Sequence, residues 1–419
     1  MKHIGNIFVI LGIAAISSCH TGSNIKNNNP SVAQDKPADS VITMQTRQQI
    51  LPTPTESACN FAISLFRAVC EAEKQKNICI SPASAEWALS MVANGANGIT
   101  EREIIQMLGF KDIETLNSLQ DSLISSLPTK SHATHLSIAN SIWINKDVPV
   151  KDEFIAINRR YYDATVQSVK FDNHALAQIN KWCSEKTEEK ITSILDNLDN
   201  STKLLLLNAL YLKSSWASPF NEKATVEHTF TKSNNEEVKV KMMKQKSRTT
   251  YFENDTMQIA SKHLCGKLEM RFILPRKGIE TDSVVRILDE KYETLRGRMK
   301  SHEVIMGVPR FKTEYGTSMK QMLKEMGMQS AFGKNAQFEK ISEIPLYIDD
   351  VIQKSYIAVN EEGVEAAAVT AATMNMLSMR PAEQPKEMIM DRPFIYMIVH
   401  CENNKETILF IGKTEEPKE

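Results

Sequence analysis

His132 and His135, in the run "HATH", are spaced as two metal ligands could be. No carboxylate or cysteine beside them completes a ligand set, so two solvated surface histidines are expected. Beyond Cys19 the cysteines are Cys59, Cys70, Cys79, Cys183, Cys265 and Cys401, with no CxxC pair among them. Buried free thiols are the expectation. Cys59 and Cys70 share a predicted helix that sets them roughly 16 Å apart, too far for a bridge. There is no G-x-S-x-G elbow, P-loop, G-x-G-x-x-G or H-E-x-x-H. The residues therefore point to no catalytic group, no metal and no cofactor.

The unusual stretch is "NEEGVEAAAVTAATMNMLSMRP", residues 360 to 381. In a chain that is 24% charged, Ala366 to Met379 carries no charge, no Gly and no Pro. Its acidic start, Glu361-Glu362-Gly363, and its exit, "RPAEQPKE", read as solvent-facing. The run between them resembles neither a loop nor a core segment, and the alternative reading of "EAAAVTAA" is a short helix by alanine's propensity.

The 419 residues are 42% hydrophobic with formal charge −1, enough apolar material for a large core and no electrostatic footprint for nucleic acid. "KVKMMKQKSR" (239–248) is locally basic, but Val238, Val240 and Met242 alternate with Lys239 and Lys241, which predicts a strand with one solvated face. At the start, Lys2 and His3 precede an apolar stretch from Ile4 to Ile16 that is too short to span a bilayer comfortably, so an export signal is expected. Ile16-Ser17-Ser18-Cys19 resembles the bacterial lipoprotein processing box. That implies removal of residues 1–18, lipid on Cys19, and an exported, membrane-anchored protein of the bacterial periplasm or cell surface. Ordinary signal cleavage beside an incidental cysteine is the alternative. Residues 19–55, rich in Asn, Ser, Thr, Gln and Pro, read as a flexible tether.

From residue 56 onward the pattern predicts one α+β domain. "FAISLFRAVCEAE" has helical spacing. In "NICISPASAEWALSMVANGANG" a short strand meets Ser81 as N-cap and Pro82 at the first helical position. Ala85, Ala88, Leu89 and Val92 give that helix one buried stripe, and Gly95 ends it. "HLSIANSIWINKD" alternates as a strand, and "ALAQINKWCSEKTEEKI" returns to helical spacing. "TKLLLLNALYLKSSW" reads as a strand covered on both faces, in which Asn208 must find partners. "VKVKMM", "KLEMRFILP" and "HEVIMGVPRFKTEY" are further strands, "TSMKQMLKEMGM" is a helix, and "PFIYMIVHCENNKETILFIGK" is a hairpin turning at "ENNKE".

Five of these stretches, in order, resemble the serpins, inhibitors of serine and some cysteine proteases: "NICISPASAEWALSMVANGA", "NALYLKSSWASPF", "VPRFKTEYGTSMKQMLKEMGM", "IAVNEEGVEAAAVTA" and "DRPFIYMIVHCENNKETILFIGK". The resemblance covers about Ser57 to Lys413. It implies helices packed around a large mixed main sheet with smaller sheets, and an exposed reactive-centre loop over about 361–386. It also implies a monomeric suicide substrate with no catalytic residue or cofactor. A protease cuts the loop, is held as an acyl-enzyme, and is trapped as the cut loop inserts into the main sheet. Chymotrypsin-like, subtilisin-like or elastase-like enzymes are the implied targets. The alternative is a non-inhibitory serpin acting as a binding or scaffold protein.

Insertion as a strand places alternate residues on one face. One set, Val364, Ala366, Ala368, Thr370, Ala372, Met374 and Met376, is small or apolar and suited to burial. The other, Glu365, Ala367, Val369, Ala371, Thr373 and Asn375, carries the sole charge. The resemblance makes Glu361, Glu362, Gly363, Val364, Glu365, Ala366, Ala367, Ala368, Val369 and Thr370 the hinge. It places the scissile bond at Leu377-Ser378, flanked by Met376 and Met379, and Leu377 suits an apolar primary pocket. Where many serpins carry Thr or Ser after the hinge Gly, this chain has Val364. Where many carry a His beneath the sheet opening, it has Gln353, expected near Ser81, Ser84 and Asn208 and unable to titrate. Trp216 matches the Trp at the place where the loop first meets the sheet.

Overall fold

The computed structural model describes residues 54–127, 130–365, 384–402 and 405–419. In chain order come α1 (Pro54–Ala72), β1 (Ile78–Ile80), α2 (Pro82–Ala93), α3 (Gly98–Leu108), α4 (Ile113–Ser126), β2 (Thr134–Asn145), α5 (Asp152–Tyr162), β3 (Thr165–Val169), α6 (Asn173–Lys186) and β4 (Leu204–Ser215). The second half holds β5 (Val226–Thr231), β6 (Glu237–Glu253), β7 (Met257–His263), β8 (Leu268–Pro275), α7 (Thr281–Gly297), β9 (Lys300–Pro309), β10 (Phe311–Ser318), α8 (Lys320–Glu325), β11 (Asp350–Val359), β12 (Gly363–Val364), β13 (Lys386–Ile389), β14 (Phe394–Glu402) and β15 (Lys405–Thr414). The first helix starts at Pro54, two residues inside the segment expected to be tether, because Pro is well suited to a first helical turn.

Two sheets organise these elements. Nine strands form one, in the order β1-β15-β14-β8-β7-β6-β9-β13 with β5 on β6; six form the other, in the order β10-β11-β12-β4-β2-β3. β4 shows why its sequence is almost continuously apolar. Leu204, Leu206, Leu210 and Leu212 join the main core, while Leu205, Leu207 and Ala209 meet Trp143, Phe171 and Ile179 in a second core under α6. Both faces are dry, so the period-2 signal disappears.

Several expectations are refined. The helix after Ser81 is buried on every side, so its predicted single stripe is too narrow. Ser81 Oγ accepts from Ser84 N at 3.2 Å, the expected cap. "HEVIMGVPRFKTEY" divides at Arg310 into β9 and β10, which lie in different sheets. The helix of "TSMKQMLKEMGM" is only α8, and α6 stops at Lys186, short of the predicted 191. Strands and helices also mix late in the chain: α7, with Val284, Leu288, Tyr292 and Leu295 along its buried face, lies between β8 and β9. It is tied down where buried Arg271 donates to Glu406 at 2.9 and 3.0 Å and to Tyr292 at 2.5 Å.

Of two buried polar groups at α2, one on the helix and one packed against its start, only the first responds to pH. On α2 itself, Glu86 Oε1 accepts from Gln120 Nε2 at 2.5 Å, and Trp87 Nε1 donates to Gln120 Oε1 at 2.6 Å. Burial pushes the Glu86 carboxyl up to about 7, with the Gln120 amide pulling it partly back. On β11, Gln353 is 1% exposed. Its Oε1 accepts from Ser81 N at 2.7 Å and its Nε2 donates to Ser81 O at 2.8 Å.

A raised carboxyl favours the native state while neutral, so its contribution is whole below the ordinary value of 4.5 and is lost as pH rises through about 7. Urea unfolding should therefore show Glu86→Gln gaining on the order of 3 kcal/mol relative to wild type between pH 4.5 and pH 8; a constant difference would contradict the assignment. Gln353→Ala leaves the buried Ser81 N–H without its partner, while Ser81 O still accepts from Ala85 N at 3.2 Å, and should cost about 1–3 kcal/mol by the same assay. That loss should not change between pH 5.5 and pH 8, since an amide does not titrate.

Candidate functional site

β11 and β4 lie parallel and pair directly from Asp350↔Leu205 to Ser355↔Leu210. Above that point the recorded pairing between them ends, and β12 stands in the opening. Val364 pairs with Val359 on one side and with Ser214 on the other, both antiparallel, and Gly363 pairs with Ser215. Val364 is fully buried in the main core, as expected for the first member of the small, apolar set. Glu365 N donates to Ala358 O at 2.8 Å, and Glu365 then turns left-handed at φ 49°, which ends the strand.

A clasp holds this short strand in place. Trp216 Nε1 donates to Asn360 O at 2.9 Å, Trp216 N to Glu362 O at 2.8 Å and Phe220 N to Glu361 O at 2.9 Å. Asn360 Oδ1 accepts from Glu362 N and Gly363 N at 3.0 and 3.1 Å, fixing the turn between β11 and β12. Trp216 thus lies where the sequence placed it. Beneath it the Lys262 ammonium sits 5.3 Å from the Trp216 ring centre and 4.2 Å from that of Phe220. It donates to Ser218 O at 2.7 Å and to Gln245 Oε1. Burial pushes it down to about 7.

In the acidic start of the hinge Glu362 is partly exposed but Glu361 is not solvated. Glu361 is 3% exposed. Arg310 Nε donates to its two carboxylate oxygens at 3.0 and 2.9 Å, and Thr225 Oγ1 donates at 2.5 Å. These donors hold its carboxyl below its usual range against the opposing effect of burial. Glu365, expected on the face opposite to Val364, is also largely buried and pairs with Lys190 at 2.5 Å. Of the loop expected over about 361–386, Gly363 and Val364 form β12 and Lys386 opens β13 beside β9. Ala366, Ala367, Ala368, Val369, Thr370, Met376, Leu377, Ser378 and Met379, like Cys19, lie outside the described residues.

Lower in the sheet, Gln353 and Asn208 are register partners. Ser84 Oγ and Asn208 Nδ2 both donate to Asn140 Oδ1, at 2.8 and 2.9 Å. The expected residues come together, but in two branches: Gln353 with the Ser81 backbone, and Ser84 with Asn208 through Asn140. Asn140, Thr225, Lys262 and Arg310 were not singled out from sequence, since each is an ordinary polar residue whose partner is distant in the chain. His135, expected as a surface residue, is half-buried against Tyr211 with its Nδ1 2.8 Å from Glu188 Oε1. Cys70, Cys79 and Cys183 are buried free thiols, whereas Cys265 and Cys401 are partly exposed.

The comparisons agree with this geometry. The family model "Serpin (serine protease inhibitor)" matches residues 56–417. The leukocyte elastase inhibitor of Sus scrofa is 34% identical over 380 residues, covering 86% of this chain and 99% of that protein. Among solved structures, the thermophilic serpin tengpin in its native state superposes with a TM-score of 0.78 at 31% identity, covering 86% of this chain and 94% of its own. Thyroxine-binding globulin complexed with thyroxine gives 0.77 at 26%, covering 87% and 100%. With the family model spanning residues 56–417 and a relative 34% identical over nearly its whole length, the chain belongs to the serpin family.

Proposed function

We propose that this serpin is a single-use inhibitor of serine proteases with apolar primary pockets, consumed in the encounter and not turning over. The observation that carries the reading is β12: the hinge residues Gly363 and Val364 already stand as a strand at the head of an opening between β11 and β4. In this mechanism the protease serine attacks the Leu377 carbonyl, an ester replaces the peptide bond, and the Ser378 amine leaves. The freed strand then extends β12 downward, exchanging the direct β11 to β4 pairing for two antiparallel ladders. Some 14 added residues making roughly 15 ladder bonds at about 1 kcal/mol each would give a gain of order 10 kcal/mol.

Side-chain chemistry supports the same course. A charge carried into the sheet would cost several kcal/mol unless paired, and Ala366 to Met379 contains none. We further propose that lipid on Cys19 tethers the monomeric inhibitor to a membrane of an exported compartment. The second reading, a non-inhibitory binding or scaffold serpin, draws on the close fold match to a globulin complexed with thyroxine.

The soluble form lacking residues 1–19, mixed with chymotrypsin, elastase or subtilisin, should give a complex that survives boiling and a released peptide beginning at Ser378. Clean cleavage without a complex would favour the binding reading. Val364→Arg should be cut at the same bond yet form no complex, because an arginine cannot enter the core position that Val364 fills. Loop-cleaved protein should melt about 20 °C above the intact form; equal melting points would remove insertion from the mechanism.

A further inference from the structure

The six-stranded sheet has two faces, and the hinge touches both. Val364 points into the main core, and Glu365 points to the other face, where the chain leaving α6 crosses the sheet. That crossing segment is unusual. Thr187 ends α6 with its N and Oγ1 donating to Cys183 O, and Glu188 and Glu189 then follow at φ 48° and 63°. Two successive left-handed residues, neither of them Gly, carry a conformational cost and persist only where surrounding contacts hold them. Those contacts are evident: Glu189 N donates to Ser184 O at 2.8 Å, Ile191 is fully buried, and Lys354 Nζ of β11 donates to Ser193 O at 2.8 Å. The segment is thereby fixed over the sheet, with Lys190 next to the two left-handed residues.

Lys190 Nζ lies 2.5 Å from Glu365 Oε1, with the carboxylate side chain only 13% exposed. Glu365 Oε2 is buried without a partner among the described residues. Tyr211 of β4 and Tyr356 of β11 stand near the same carboxylate, and burial followed by the Glu365 charge raises both phenols. Glu188 adds a second negative charge beside Tyr211. Lys190 is thus the cation paired with a largely buried, incompletely satisfied carboxylate. Without it, Glu365 would be driven toward water by burial and by Glu188, and Val364 is the adjacent residue.

We propose that Lys190 is a positioning residue for loop insertion: its ion pair with Glu365 holds Gly363 and Val364 seated in the sheet, so that a cleaved loop starts from a formed first step. This rests on the inhibitory reading above. In Lys190→Met the hinge withdraws, early insertion slows, and more protease escapes by deacylation. Neutralising the carboxylate as well, in Lys190→Met with Glu365→Gln, removes the reason to withdraw.

The test uses the soluble form and chymotrypsin. Lys190→Met should raise the ratio of cleaved inhibitor to trapped complex about tenfold, at a melting temperature within a few degrees of wild type. The double variant should return most of the way, and Lys190→Arg should resemble wild type. Faster trapping by Lys190→Met, or an unchanged ratio, would overturn the proposal. Hydrogen exchange of the Glu365 amide and Trp216 emission should report the same withdrawal without protease. If wild type forms no complex, the inhibitory reading fails on its own, while unchanged exchange and emission in Lys190→Met would reject the positioning role separately.

Discussion

An unfinished ladder between two buried strands is the constraint on which the rest of this molecule depends. Backbone N–H and C=O groups away from water require partners, and where β11 and β4 part company those partners must come from elsewhere. β12 supplies a few of them at the top. Below, the direct parallel register from Asp350 to Ser355 supplies others. Everything else near the opening keeps these two solutions in place: Trp216 and Asn360 above, and Gln353 and Ser81 below. The hydrogen bonds are individually ordinary. Their placement on either side of one gap makes them a device.

The distribution of charge follows the same division. Glu361 and Glu365 frame the hinge and each has a cation, Arg310 and Lys190 respectively. Beyond Glu365 the sequence abandons charge for fourteen residues. Fixed charges are affordable where a partner is built into the scaffold, and not in a segment whose surroundings change completely when it moves. The boundary between the two regimes falls at the residue with φ 49°, where the strand now ends.

Much of this was legible in the residues. The Ser81-Pro82 start, the two-faced strand around Asn208, the C-terminal hairpin and the burial of Val364 all follow from local pattern, because each depends on neighbours within a few positions. Less visible were contacts closed by topology. Nothing around Glu361 indicates that Arg310 will reach it, and nothing in "HATH" shows that Glu188 will meet His135. The same limit explains α6: periodicity alone carried the helix to residue 191, whereas Thr187 folding back on Cys183 ended it. Expecting Glu361 in solvent failed for a related reason, since composition records a charge but not its partner.

The nine-stranded sheet has a temporal side. β1 pairs with β15 across Ile78↔Lys413, so the chain's early residues wait for nearly its last ones. Such distant pairing folds slowly, and during synthesis the last strand of the six-stranded sheet, β12, leaves the ribosome before β13, β14 and β15 of the nine-stranded one. The residues that frame the opening are therefore all made before β13, Lys386–Ile389, which pairs with β9. The molecule's working state is therefore a matter of timing as well as of contacts. Among the described residues the four-residue tie at β13 is the first pairing made after the hinge, and it joins the other sheet.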